Sequence, residues 1–408
     1  MRRRLRLILG TLALCGLFLC GCGKTERHEM TIWHASDLHY LSPALISDRA
    51  AFASSMEQGD GKVTHYTPEI CRSFVDAAIA AKPDAIVISG DLTLNGSLQS
   101  HTELTVLLKE IREAGIRVFV IPGNHDMGKV AYRFLTDTLE PVPAAAPEDF
   151  ARLYADFGYS DALSRDKDTL SYVADAGGGV RLLMLDVNSG SYGTVPDSTL
   201  AWAKKQLRQA RQAGCTVITV SHQNLERHSP MFVLGYEINN RDALEAIYAD
   251  AGVKLNLSGH LHIQHITADA AVTDIAVSSL SVTPNQFGVL SVHPDGSMDY
   301  ETCPLDVTAF DEEGNLLNFR QFSADFFDSC TIFKNSQRIA SLDVDEDSAK
   351  LMLETSVAMN REYFGGRVGT DHSEGLALWT ENAGTFSSNY LDTIAAEAGR
   401  DHTRWSTP

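Results

Sequence analysis

Phe119-Val120-Ile121-Pro122-Gly123-Asn124-His125-Asp126 is the stretch on which the reading of this chain turns. Ile116 to Val120, with Arg117 among them, make a short buried strand. Pro122-Gly123 breaks it, and an amide, an imidazole and a carboxylate follow at once. In an open α/β sheet ligands bind beyond the carboxyl ends of the strands, so this is a place where a site is expected. The row offers a metal ligand and a general acid, although a capped polar turn would use the same residues. Recurrence decides between them, because a strand followed by polar residues appears four more times.

Upstream, Met30 to Ser36 is a strand that ends in Asp37-Leu38-His39. Side chains at i and i+2 of an extended segment point the same way, so Asp37 and His39 can reach one ion together. Leu41 to Tyr66 is a long connection with Gly59-Asp60-Gly61 in its middle, expected as a rim over the site. His65 and Tyr66 are expected in solvated loop, with substrate contact as the alternative. Thr67-Pro68-Glu69 starts a helix that runs to about Lys82. Asp84 to Ser89 is the next buried strand and ends in Gly90-Asp91, whose carboxylate can offer one oxygen to each of two ions. A helix from about Ser97 to Ala114 leads back to the opening strand. Right-handed crossovers in such a β-α-β-α-β run place all three strand ends on one edge of a covered parallel sheet.

Downstream, Met127 to Lys167 reads as helical with interruptions at Pro141, Pro143 and Pro147. Leu170 to Ala174 and Val180 to Val187 pair across the Gly177-Gly178-Gly179 turn, and Asp186 to Ser189 is another polar strand end. A helix from about Ser198 to Ala213 precedes a strand, Cys215 to Val220, ending in Ser221-His222. Val253 to Leu257 ends in Ser258-Gly259-His260-Leu261-His262. Three histidines thus fall at two strand ends, each just past a buried apolar run.

Asp37-x-His39, Gly90-Asp91, Gly123-Asn124-His125-Asp126, His222 and Gly259-His260-x-His262, in that order, resemble the calcineurin-like metallophosphoesterase superfamily over about Met30 to Cys303. The resemblance implies an α/β fold: a β-sandwich of two mixed sheets flanked by helices, with a dinuclear metal centre at its edge. Strands between Ile266 and Tyr300 would complete the second sheet. By position, one ion takes Asp37, His39, Asp91 and His262, and the other takes Asp91, Asn124, His222 and His260. The mixed imidazole and oxygen donors suit two divalent ions of Mn, Fe or Zn. Such a pair acidifies a bridging water and clamps phosphoryl oxygens for in-line attack. His125 would protonate the leaving oxygen or stabilise its charge, and Asp126 would orient the turn.

The Ser/Thr protein phosphatases of that superfamily carry G-D-x-V-D-R-G, whereas this chain has Gly90-Asp91-Leu92-Thr93-Leu94-Asn95-Gly96. The missing Asp and Arg point away from a protein phosphatase. The Gly-Asp-Leu-Thr form and the compact Gly-His-x-His end look more like the class III cyclic-nucleotide phosphodiesterases, above all exported bacterial members with a helical C-terminal extension. The resemblance therefore implies hydrolysis of phosphodiester bonds in small substrates, with cyclic nucleotides foremost. A phosphomonoesterase or nucleotidase is the alternative within the enzymes, and a catalytically silent metal-binding lipoprotein is the alternative outside them.

Residues 1–22 read as a signal segment: Arg2, Arg3, Arg4 and Arg6 precede an apolar run, Leu7 to Leu19, too short to span a bilayer comfortably. Leu19-Cys20-Gly21-Cys22 resembles a bacterial lipobox, with Cys22 as the lipidated residue and a lipid anchor on the outer face of the cell membrane. Removing residues 1–21, which hold those arginines and no acid, takes the formal net charge from −19 to −23. Such a surface repels polyanions, so broad nucleic-acid binding is not expected. Residues 23–29 are a tether, 30–305 the phosphoesterase domain and 306–408 a helical C-terminal domain. In the latter, Phe310 to Leu316 is an acidic linker, and Asn318 to Gln337, Asp345 to Tyr363 and Gly375 to Ala398 read as helices. Phe319, Phe322, Phe326 and Phe327 form an apolar stripe that should pack on the neighbouring helices and the sandwich. Cys71, Cys215, Cys303 and Cys330 allow three full pairings, among them a Cys303–Cys330 bridge.

Overall fold

The computed structural model describes residues 27–128, 130–268, 270–308, 318–382 and 386–407. The arginine-rich leader, Cys22 and the 310–316 linker lie outside the described residues. Strand β1 (Met30–Ala35) is buried on both faces almost throughout. The connection after it reaches the site at Asp60, as a rim would, but it is not solvated loop at His65 and Tyr66. Asp48 accepts from the N–H groups of Ala50 and Ala51 and caps helix α1 (Arg49–Met56). His65 is buried, and its ring and that of Tyr66 pack against Phe322. An imidazole and a phenol ring supply enough apolar surface to be drawn under a neighbouring helix.

Helix α2 (Thr67–Ala81) buries Ile70, Cys71, Phe74, Val75 and Ala78 at helical spacing, and strand β2 (Ala85–Ile88) follows. Helix α3 (Leu98–Glu113), capped by the Ser97 hydroxyl, leads to strand β3 (Arg117–Val120). β1, β2 and β3 are parallel neighbours in that order, as the β-α-β-α-β reading requires. The expectation of a helical 127–167 is corrected. Ala131–Phe134 and Leu139–Val142 form a hairpin, β4 and β5, and among the described residues of this stretch only Pro147–Leu153 (α4) is α-helical. Tyr132, Phe134 and Val142 favour extended backbone, and Pro141 is tolerated in a two-stranded ribbon where its missing N–H is not needed.

The second sheet is built from β6 (Ser164–Arg165), β7 (Tyr172–Gly177), β8 (Val180–Met184), β9 (Thr216–Val220), β10 (Leu255–Ser258), β11 (His265–Ile266) and β12 (Thr273–Ala276). Its order is β11-β12-β10-β9-β8-β7-β6, with β8, β9, β10 and β12 parallel. Helices α5 (Asp197–Gln212) and α6 (Arg241–Ala251) make its crossovers. Ile86, Val118, Leu182, Ile218 and Leu257 belong to one core between the two sheets.

The expectation that strands between Ile266 and Tyr300 complete the second sheet holds for β11 and β12 and is corrected for the two strands after them. β13 (Gln286–Val292) pairs antiparallel with β1, and β14 (Met298–Pro304) pairs with β13. The first sheet then reads β15-β14-β13-β1-β2-β3, where β15 (Arg404–Ser406) is the end of the chain. Pairing on that side covers an edge of β1 that would otherwise be open, and Phe287 of β13 packs against Trp33 with ring centroids 4.3 Å apart.

After β14 come helices α7 (Phe319–Ile339), α8 (Glu346–Gly365), α9 (Ser373–Glu381) and α10 (Phe386–Ala395). The single helix expected over Gly375 to Ala398 is therefore two, α9 ending at Glu381 and α10 beginning at Phe386. The phenylalanine stripe packs as expected: Phe319 and Phe326 join the core of the sandwich. Leu261 and Ile263, just past β10, share a second cluster with Met352, Tyr363 and Trp379. Cys303 and Cys330 are free thiols, so the Cys303–Cys330 bridge is not formed. Cys303 lies on β14 opposite Phe287, whereas Cys330 is buried on α7 beside the Met56 carbonyl. No helix among the described residues is long and apolar enough to cross a membrane.

Candidate dinuclear metal site

Every motif singled out in the sequence lies just beyond a carboxyl strand end: Asp37 and His39 after β1, Asp91 after β2, Asn124 and His125 after β3, His222 after β9, His260 and His262 after β10. The structure brings them together. Asp37, His39 and His262 form one group able to hold a cation, and Asp91, His222 and His260 form another. In the first, the His262 and His39 Nε2 atoms are 3.0 Å apart, and Asp37 Oδ1 is 3.3 Å from the former and 3.8 Å from the latter. In the second, His222 Nε2 lies 3.3 Å from Asp91 Oδ2 and 3.0 Å from Asn124 Oδ1.

Asp91 joins the groups. Its Oδ1 accepts the His125 backbone N–H at 2.7 Å, so Oδ2 is the oxygen that stands between them, 3.3 Å from His222 and 4.0 Å from His39. A single oxygen, Oδ2, thus faces both imidazole sets.

The fit to metal can be tested on atoms that the protein leaves unsatisfied. Asp37 Oδ1 is buried without a well-formed hydrogen bond, facing the His262 imidazole at 3.3 Å, a position a cation would fill. His222 donates from Nδ1 to the Ser89 carbonyl, and His260 donates from Nε2 to the Gly235 carbonyl. Each is thereby oriented with its other nitrogen available. The donor set is thus imidazole, carboxylate and amide oxygen, which suits a divalent transition ion.

The backbone is strained where these side chains converge. Asp37, His39, Asp91, His260 and His262 all have positive φ, between 47° and 71°. Non-glycine residues adopt that region rarely, and when they cluster in it the surroundings must impose it. Glycine at two neighbouring positions makes the approach possible. A Cβ on Gly123 would fall on the Asp91 carboxylate, and one on Gly259 would fall on Ser36 and Asp37. The carboxylate of Asp126 accepts from the N–H groups of Leu92, Thr93 and Gly123, tying the turn after β2 to the turn after β3. Burial and the Asp91 charge push its carboxyl up to about 7 against the pull of those N–H groups.

Sequence reasoning left one residue of this site unassigned. Asp60 Oδ2 is 3.6 Å from His262 Nδ1 and 3.2 Å from Lys62 Nζ. It orients the His262 ring so that Nε2 faces Asp37. Its signal was an acid between two glycines in a long connection, and a glycine is needed there because a Cβ on Gly61 would run into the Phe327 ring. A further group, His265, Glu397 and His402, also has ligand-like spacing. The Ile266 N–H donates to His402 Nδ1, so the His402 proton sits on Nε2 and points at Glu397, 3.1 Å away. That arrangement is a hydrogen-bonded clamp between β11 and the C-terminal segment.

Burial drives the imidazole of His39 well below its ordinary range and that of His260 down to about 3. For His222 and His262 burial acts in the same direction, but the Asp91 and Asp37 carboxylates overcome it and raise each to about 9. Below that value both carry a proton that a cation must displace. Mn binding to metal-free protein at pH 7 is therefore expected to release protons, with apparent affinity falling as pH drops and release fading above about pH 9. Titration calorimetry in buffers of different protonation enthalpy reads this directly. Binding at pH 7 with no proton release would show that these histidines are not ligands.

The chain belongs to the calcineurin-like phosphoesterases, whose family it matches over residues 30–264, and it is a metal-dependent phosphoester hydrolase of that class. Residues 309–401 match the C-terminal domain of cyclic nucleotide phosphodiesterase. Among curated proteins, it is 24% identical over 260 residues to a cAMP/cGMP dual specificity phosphodiesterase of Mycobacterium tuberculosis, covering 63% of this chain and 68% of that protein. It is 27% identical over 256 residues to a probable cyclic nucleotide phosphodiesterase of Rhodococcus erythropolis, covering 62% and 71%. Among solved structures, a dimetal phosphatase from Danio rerio aligns over 67% of this chain and 95% of its own, at 12% identity and a TM-score of 0.48.

Proposed function

We propose that the protein is a phosphodiesterase of small nucleotide substrates, cyclic nucleotides foremost. One ion would be held by Asp37, His39, Asp91 and His262, and the other by Asp91, Asn124, His222 and His260. The observation that carries the reading is Asp91 Oδ2 standing between two imidazole sets, with the His125 Nε2 3.9 Å from it on the more open side. Mn, Fe or Zn bound there supplies Lewis-acid polarisation of the phosphoryl group and an activated water. The protein contributes orientation. His125 donates from Nδ1 to the Leu94 carbonyl at 2.6 Å, which fixes the ring and leaves Nε2 as the atom at which a proton moves toward a leaving oxygen. The match of residues 309–401 and the two phosphodiesterase relatives support a diester over a monoester.

A panel of bis- and mono-4-nitrophenyl phosphate with cyclic nucleotides, assayed with added Mn, tests the reading. Diesters are expected to be the better substrates. Turnover of monoesters alone would establish a nucleotidase-like enzyme instead. The lipobox reading makes the protein exported and lipid-anchored at Cys22, so Cys22→Ala should move it from the membrane to the soluble fraction. Unchanged fractionation would mean a different anchor.

A further inference from the structure

A cavity of about 400 Å³ opens beside His260 and His262, and its far wall is made by the C-terminal helices. That volume falls within the range of small-ligand sites, which runs from about 300 to 1,000 Å³. Near the histidines the wall is aromatic. The Tyr236 ring lies 5.0 Å from that of His260, Phe232 lies 5.2 Å from Tyr236, and Tyr390 of α10 lies 6.0 Å from Phe232. Farther along, α7 presents Lys334 and Arg338 to the same space. Arg338 is held in place by bonds from its guanidinium to the Ser387 hydroxyl and, at 3.5 Å, to Asn335.

The charge of this cavity is opposite to that of the protein. The chain has 53 acids against 34 Lys and Arg. Yet among the described residues lining the cavity Asp60 is the one carboxylate, and it is paired with Lys62. A cavity that is locally cationic in an acidic protein selects anionic ligands. The spacing sets a length. Phe327 meets Gly61, in the loop that orients His262, and Cys330 meets Met56 just before that loop. From Cys330, Lys334 lies one helical turn farther along α7 and Arg338 two, about 6 and 12 Å along the axis.

We infer that the C-terminal helices form the substrate-recognition wall of the phosphoesterase site, and that Lys334 and Arg338 bind a second anionic group on the substrate. The chemical class is a nucleotide phosphodiester with a further phosphate beyond the scissile one, its base against the Tyr236 and Phe232 rings. This rests on the phosphodiesterase reading above and narrows it, because a 3′,5′-cyclic mononucleotide has no second anion for these cations to bind.

Two measurements on the Mn-loaded full chain test it. The first is the ratio of kcat/KM for a 5′-phosphorylated linear dinucleotide to that for 3′,5′-cyclic AMP. The second is equilibrium binding of adenosine 3′,5′-bisphosphate relative to AMP. Lys334→Gln, on an exposed helical position, is expected to lower both ratios about tenfold, the scale of one charge-assisted hydrogen bond. Arg338→Gln should act in the same direction, with thermal unfolding recorded because Arg338 also bonds Ser387. If diesters are hydrolysed but neither ratio moves in Lys334→Gln, the recognition wall is wrong. If no diester is hydrolysed by the unmodified protein but bisphosphate binding falls in the variant, the wall stands and the phosphodiesterase reading fails.

Discussion

Asp91→Ala is expected to abolish hydrolysis of every phosphoester tested and to leave at most one ion bound per chain, where the unmodified protein should approach two. The size of the effect follows from position. Asp91 is 1% exposed, and its Oδ2 is the oxygen shared by the two imidazole groups. Burial works to raise its carboxyl, and the imidazoles of His222 and His125 more than offset that and hold it well below the usual carboxylate range. It is therefore ionised at neutral pH, as a cation-binding carboxylate has to be. Changes to groups that only support ligands cost about 10–100-fold in affinity or activity, and loss of a shared ligand should exceed that. Asp91 Oδ1 also accepts the His125 backbone N–H, so the folded state of the variant has to be recorded beside its activity. Metal analysis beside an activity assay and a thermal melt decides the matter. Two ions retained with activity within about tenfold would remove Asp91 from the bridging role.

What the sequence disclosed was governed by how local each cause is. A buried parallel strand is a continuous apolar run, and a ligand that must pass close to another backbone needs a glycine next to it. Hence β1, β2 and β3, and the motifs beginning at Gly123 and Gly259, could be read directly. The pairing of β13 with β1 could not, because alternation shows that a segment is a strand and says nothing about which open edge receives it. The β4–β5 hairpin was hidden by prolines that interrupt helix and ribbon alike. Asp60 was hidden because its role depends on Phe327, more than 260 residues away, holding its loop against His262. The same holds for Lys334 and Arg338. The phenylalanine stripe of α7 was legible as a packing face, but what the neighbouring face looks onto is set by where α7 docks.

His125→Ala is expected to keep the metal and lose most of the rate, by about 10²–10⁴-fold if the residue acts as a general acid. The side chain is 31% exposed, unlike the fully buried His39 and His222, so its outer nitrogen can meet a substrate. The Leu94 carbonyl accepts a hydrogen bond from His125 Nδ1, and the His125 backbone N–H donates to Asp91 Oδ1. The backbone bond survives truncation of the side chain, so the Asp91 carboxylate should stay in register and the metal with it. The loss should depend on the leaving group. A ribose alkoxide leaves badly without a proton, whereas 4-nitrophenolate leaves without one. Hydrolysis of a cyclic nucleotide should therefore fall much further than that of bis-4-nitrophenyl phosphate. Equal losses with the metal retained would reject the acid and leave charge stabilisation as the role. Loss of metal would place His125 among the ligands, a position that its 3.9 Å approach to Asp91 Oδ2 makes a real alternative.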